Sequence, residues 1–493
     1  MKQIVQNLKS NKGVELSEFP TPVIKKGHVL IQTKLSLISK GTERMIVEFG
    51  NASYIQKAKQ KPDQIKKVFE SIIRDGLGHT LDIVQSKLEQ TIALGYCNYG
   101  VVLESDDEGF KKGDRVISNG PHAEIVNVPK NLVAKVPDSV NDEEAVFTVI
   151  GSIGLQGIRL CNPTYGETIV VVGLGLVGLI TVQLLKANGT NVIGIDIDKT
   201  RCNIANSYGI TTINSALNDP VRTVLNSTNN IGADGVIITA AAKSNEIISQ
   251  SAQMSRKKGR IILVGVVGLN LNRDDFYDKE LSFQVSCSYG PGRYDANYEN
   301  EGNDYPIGFV RWTEKRNFEA FLQAIANKHL NLEDLITEKV SLNDYKKIYD
   351  NIDSNKSIAS ILVYPNEIIN SDQSVKKISE VITSGQKGVI GIIGSGNFTK
   401  STILPYLKKC NADLRYIASL DGVSSTILAK KFNINYSVTD YKKIIDDKEV
   451  DLIIISTRHN SHAKLIIEIL NAGKHVFVEK PLAINESDIK DII

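Results

Sequence analysis

Two stretches of this chain place glycines where a phosphate could be cradled. In the first, Gly173-Leu-Gly175-Leu-Val-Gly178 follows the apolar run Thr168 to Val172 and precedes a helical pattern that stops at Gly189. Gly173 permits a tight turn, Gly175 lets the backbone approach a pyrophosphate, and Gly178 lets helix and strand pack closely. The start of the helix presents free N–H groups to the anion. Eighteen residues beyond Gly178 the next strand-like run ends in Asp196, whose carboxylate would accept hydrogen bonds from an adenosine ribose. That charge repels a 2'-phosphate, so the order strand, glycine loop, helix, strand, acid predicts NAD.

The second stretch, Gly394-Ser-Gly396-Asn397-Phe-Thr399, follows the apolar run Val389 to Ile393. Thr399 replaces the third glycine, a position that serves helix packing rather than phosphate approach. Ser419 stands at the acidic position, with Asp421 two residues later, and the residues leave NAD or NADP open. Gly394, Gly396 and Asn397 are the cofactor-binding residues expected of this second loop.

These loops need parallel sheets to present them. From Met1 to about Val136 the chain is strand-rich and punctuated by Gly and Pro, as in a small barrel. Between Ala52 and Leu88 the apolar residues Ile65, Val68, Phe69, Ile72 and Ile73 line one helical face, which predicts a helical insertion. From Pro137 to 290 apolar strands alternate with amphipathic helices, the pattern of a doubly wound α/β domain. Residues 291–365 run through an aromatic, Gly/Pro-rich stretch and helices to a strand at Ser360 to Tyr364. Residues 366–387 read as a linker with one helix, and a second β-α-β series occupies 388–493.

With 42% hydrophobic and 23% charged residues and a net charge of +2, the 493-residue chain is of ordinary globular composition and lacks a nucleic-acid-binding tail. No stretch approaches about 18 uninterrupted apolar residues, and Met1 to Ser10 lacks the apolar core of a signal peptide. Five scattered cysteines without a C-x-x-C pair argue for reduced thiols in the cytoplasm and against a disulfide framework or zinc knuckle.

The first 365 residues resemble the medium-chain, alcohol-dehydrogenase-like reductases, which join a GroES-like barrel to a Rossmann domain. The resemblance rests on Gly41-Thr42-Glu43, Gly95 to Val102, Gly113-Asp114-Arg115-Val116 and His122 to Pro129. It places Lys40 where zinc members carry a Cys ligand and Tyr96 where they carry a His, and the four-cysteine zinc lobe is missing. No zinc is therefore expected, and the work of a Lewis acid must fall to another group. Lys40, Glu43, Tyr96 and His122 are the candidate proton donors or acceptors; each also has a structural reading as a turn, packing or strand-initial residue.

Asp451 to Ser456, Thr457-Arg-His459-Asn-Ser-His462, Gly473-Lys-His475 and Glu479-Lys480-Pro481 resemble the Gfo/Idh/MocA oxidoreductases. The resemblance implies that Thr457, Glu479 and Lys480 bind the cofactor, and makes Lys480 the catalytic candidate, beside the nicotinamide and the substrate hydroxyl. His459 and His462 are cofactor-lining candidates or simple helix caps. In that family a substrate domain follows the lysine; its absence implies a fragment or a shortened form. Together the halves resemble the bacterial bi-domain oxidoreductases of surface-polysaccharide or sugar metabolism. Arg293 and Arg311, in the run from Tyr289 to Trp312, are candidates to bind a substrate carboxylate or phosphate. The resemblance implies zinc-independent hydride transfer on a sugar or sugar-nucleotide substrate in a homodimer or homotetramer. A cofactor-sensing or assembly protein and a quinone- or enoyl-type reductase are the alternatives.

Overall fold

A computed structural model describes residues 1–7, 13–51, 91–352, 357–366, 373–379 and 388–493. The helical insertion expected between 52 and 88 lies outside the described residues. Strand His28–Ile38, whose alternating apolar residues are almost wholly buried, is the spine of the barrel. Its sheet runs Ile336–Ser341, Ala359–Val363, His28–Ile38, Asn98–Ser105, Arg115–Ser118, Val133–Lys135, with Ile125–Pro129 also paired to the spine. A smaller sheet sets Lys2–Asn7 between Val14–Glu18 and Thr91–Ala93. Strands Ile336–Ser341 and Ala359–Val363 lie beyond the first Rossmann sheet in sequence but pair in the barrel sheet.

Helix Thr148–Cys161 carries the chain into the first Rossmann domain. Its Gly151 lies so close to the ring of Phe321, on helix Glu314–Ala326, that a side chain there would overlap it. The barrel, this helix pair and one face of the Rossmann sheet thereby share one continuous apolar core. The sheet order is Thr211–Asn214, Asn191–Asp196, Thr168–Val172, Ala233–Ile238, Ser255–Leu263, Ser282–Val285, all parallel. The order reverses beside Thr168–Val172, which puts a crevice beyond its carboxyl end.

The second domain repeats the plan. Tyr436–Val438, Leu414–Ala418, Ile390–Ile393, Leu452–Ile455 and His475–Val478 form a parallel sheet with an apolar core on each face. Within the stretch read as a linker, Val375–Lys377 is a strand and pairs antiparallel with Tyr436–Val438. Among the described residues no helix is long and apolar enough to cross a membrane.

Candidate active site and its two dinucleotide loops

In the first loop each glycine answers a separate requirement. Gly173 has φ of +97°, and a Cβ there would lie 2.7 Å from the backbone nitrogen of Ala240. At Gly178 a Cβ would overlap the carbonyl oxygen of Gly173. Gly175 instead faces open space, with nothing within 4 Å of an added Cβ, at the start of helix Leu176–Ala187. Two glycines thus shape the loop while the third leaves room for a phosphate. Thr239 braces the turn by donating its hydroxyl to the Gly173 carbonyl at 2.6 Å.

Asp196, expected to accept hydrogen bonds from a ribose, is buried, and its carboxylate accepts backbone N–H groups of its own domain. One oxygen accepts the Leu174 N–H at 2.6 Å and the other the Asp198 N–H at 2.8 Å. Arg201 approaches it to 3.8 Å. Sequence reasoning missed Arg201, though its place five residues past the strand-end acid was a usable signal.

At the second loop Gly394 has φ of +113° and Gly396 faces open space. Thr399, in place of the third glycine, puts its hydroxyl 3.1 Å from the Gly394 carbonyl and 2.6 Å from the Ser456 hydroxyl. Thr399 and Ser456 thus brace the Gly394 carbonyl with hydroxyls, as Thr239 does that of Gly173 in the first loop. Asn397 is exposed at the start of the following helix, and the Thr457 hydroxyl lies 2.7 Å from that of Ser461. The Glu479 N–H is tied to Ile455, Lys480 is exposed, and the Lys480–Pro481 peptide is cis. His462 is fully buried, its ring nitrogens 2.8 Å from the Pro481 carbonyl and 3.2 Å from that of Thr457. His459 lies beside it and exposed, with ring centroids 5.6 Å apart.

The barrel candidates fall into two groups. Glu43 and His122 are wholly enclosed. His122 Nε2 lies 3.3 Å from both Glu43 oxygens, Ser36 holds Nδ1 at 2.7 Å, and the Tyr349 hydroxyl donates to Glu43. Tyr364 extends the chain to Ser36 at 2.9 Å, and burial pushes both tyrosines well above the usual phenol range. Lys40, by contrast, is half-buried at the start of helix Lys40–Asn51; burial lowers its ammonium pKa and Glu338 opposes that shift. Tyr96 is also half-buried. The Leu37 N–H donates to Cys97, and the His122 N–H to Leu94, so the segments carrying all four candidates meet at one end of the barrel. Cys97 there is fully enclosed, its thiol pKa raised chiefly by burial and further by Glu43.

A zinc ion would need thiolate, imidazole or carboxylate donors facing one point. Here an ammonium and a phenol stand at the half-buried positions, and the available imidazole and carboxylate are hydrogen-bonded to each other. Among the described residues no three His, Cys, Asp or Glu side chains are grouped to hold a metal. The two positions that the resemblance makes zinc ligands, Lys40 and Tyr96, offer neither a thiolate nor an imidazole. The two arginines have separate surroundings: Arg293 pairs with Glu299 and lies over the Tyr294 ring at 4.3 Å, while Arg311 stacks on Trp312 at 3.9 Å, opposite Arg159 at 3.3 Å.

Comparison with known proteins agrees with both halves. A zinc-binding dehydrogenase family model matches residues 177–300, and that of an oxidoreductase family with an NAD-binding Rossmann fold, Gfo/Idh/MocA, matches 389–493. The chain is 30% identical over 269 residues to the D-guloside 3-dehydrogenase of Escherichia coli (strain K12), covering 52% of this chain and 72% of that protein. It is 27% identical to the sorbitol dehydrogenase of Bacillus subtilis (strain 168) over 50% of this chain and 64% of the other. In fold, the alcohol dehydrogenase TADH from Thermus sp. ATN1 superposes with a TM-score of 0.57 at 19% identity, over 74% of this chain and all of that one. Galactitol-1-phosphate dehydrogenase from Escherichia coli gives 0.56 at 18%, with the same coverage.

Proposed function

We propose, for a chain that belongs to the medium-chain, zinc-type dehydrogenase family and also carries a Gfo/Idh/MocA Rossmann domain, that its first unit interconverts a sugar-like alcohol and its carbonyl with NAD and without zinc. Family membership makes it an NAD(P)-dependent oxidoreductase; the substrate class and the absence of zinc are our reading. The observation that carries it is the half-buried Lys40 at the first position of helix Lys40–Asn51, where the resemblance expects a zinc ligand. Burial depresses its ammonium pKa, which moves it toward the range of a useful general base. Bound NAD supplies the hydride acceptor. Lys40 takes the hydroxyl proton at Nζ, and Tyr96 hydrogen-bonds the same oxygen. Glu43 and His122, spent on one another, hold the end of the barrel rigid. Gly173, Gly175 and Gly178 fix the pyrophosphate, and Asp196 the ribose.

A sugar-like substrate is supported by the D-guloside and sorbitol dehydrogenases among the relatives, and a role in surface-polysaccharide or sugar metabolism in the cytoplasm accords with it. The second unit binds a nicotinamide dinucleotide through Gly394 and Gly396, with Lys480 beside the nicotinamide. The test is NADH formation by the purified chain across glycosides, free sugars and polyols. Turnover should survive exhaustive chelation and fall about a hundredfold in Lys40→Met. Activity lost on chelation and restored by zinc would overturn the reading.

A further inference from the structure

Residues Glu18 to Lys25 of the barrel lie against the second Rossmann domain where two of its strands end. Phe19 packs with Val423 and Val5. Gly422, with φ of +72°, makes room for Pro20, whose Cγ would be 2.7 Å from a Cβ there. The Thr439 hydroxyl donates to the Thr21 carbonyl at 2.5 Å, the Thr21 N–H donates to Gln373 at 2.8 Å, and Lys376 meets Glu18 at 3.1 Å. Gly422 lies in the turn after strand Leu414–Ala418, and Thr439 directly follows strand Tyr436–Val438. The carboxyl ends of those strands form the adenosine end of a dinucleotide crevice.

Lys25 closes this segment half-buried, and its ammonium has no ion-pair or hydrogen-bond partner among the described residues. The charges it senses are Asp421 and Arg458, both from the second domain. Asp421 is already engaged: one carboxylate oxygen accepts the Val423 N–H and the Ser419 hydroxyl, each at 3.1 Å, and so caps helix Val423–Phe432. Hydroxyls stand beside it: the half-buried Ser395 and Ser424 are 2.5 Å apart, and Ser419 is 2.8 Å from the buried Ser425. The first loop has a buried aspartate at the corresponding strand end.

We propose that the second dinucleotide site is shared between the units: Lys25 of the barrel, backed by Arg458, reads the adenosine 2'-phosphate, and NADP is the preferred cofactor there. An ammonium and hydroxyl donors complement a phosphate monoester, and the positive charges of Lys25 and Arg458 outweigh the negative charge of Asp421. This rests on the reading that the second unit binds a nicotinamide dinucleotide. Calorimetric titration of NADP and NAD into the full chain carrying Gly175→Asp, which silences the first site, separates the two claims. With Lys25 intact NADP should bind more tightly than NAD. Lys25→Met should weaken NADP about tenfold and leave NAD within about twofold, while Lys25→Arg should retain the preference. Equal loss for both nucleotides, or no loss, would overturn the proposal. If neither nucleotide binds in the Gly175→Asp chain, or binding survives a further Gly396→Asp, the underlying reading fails and the proposal with it.

Discussion

Nδ1 of His462 lies 2.8 Å from the carbonyl oxygen of Pro481, and the same ring reaches the Thr457 carbonyl at 3.2 Å. The buried imidazole thereby spans the two loops that leave strands Leu452–Ile455 and His475–Val478. It fixes the residue following Lys480 relative to the sheet.

Removing that strap takes a hydrogen-bond partner from these part-buried carbonyls, at about 0.5–1.5 kcal/mol. His462→Ala should raise amide hydrogen exchange across residues 479–484 and weaken dinucleotide binding at the second site, with the first site unaltered. Unchanged exchange there would mean that other contacts hold the loop.

The glycines of the first loop predict opposite behaviour for two neighbours. Gly175 faces open space, so Gly175→Asp should leave the melting temperature within about 2 °C while abolishing NAD binding, because the new carboxylate occupies the phosphate's place. Gly178→Val forces atoms into the Gly173 carbonyl and should destabilise the domain by about 1–3 kcal/mol or more. Thermal melts and calorimetry on both variants check the pair. A destabilised Gly175→Asp would show that this space is not free.

How much of this was legible in the sequence depends on distance along the chain. The glycine loops and Asp196 were readable because strand, turn and helix are local and each glycine answers a local steric demand. Thr399 stands at a position that the local pattern assigns to helix packing, but its hydroxyl partner Ser456 is 57 residues away and carried no signal. The enclosure of Glu43 and His122 was invisible for the same reason, since the tyrosine that completes their network lies 306 residues from Glu43. The contact between the barrel and the second domain joins Thr21 to Thr439, 418 residues apart, and no spacing rule reaches it.

Asp196 and Arg201 set up a selectivity prediction. The Asp196 carboxylate holds Leu174 and Asp198 and faces Arg201 at 3.8 Å. Asp196→Ala removes the ribose acceptor and releases the guanidinium toward a 2'-phosphate. The ratio of NAD to NADP affinity at the first site should fall about tenfold, and Arg201→Ala added to it should cancel any gain in NADP binding. Titrations in a Gly396→Asp chain isolate this site; an unchanged ratio would remove Asp196 from the cofactor contacts.

Glu314 gives a prediction in pH. It opens helix Glu314–Ala326 fully enclosed, and neither carboxylate oxygen has a hydrogen-bond partner among the described residues. Burial pushes its pKa up to about 8, Glu299 adds to the rise and Arg293 opposes it. The sign follows from proton counts. Above the ordinary value of 4.5 the unfolded chain releases a proton that the folded chain keeps until about pH 8. The folded state is then the proton-richer one, so this group's contribution to stability is present below pH 4.5 and lost progressively up to about pH 8. Glu314→Gln keeps the shape and removes the titration, so it should melt higher than the parent at pH 8 and together with it near pH 4.5. A parent that gains stability relative to Glu314→Gln as pH rises would mean that Glu314 is ionised and paired with Arg293 in the folded protein.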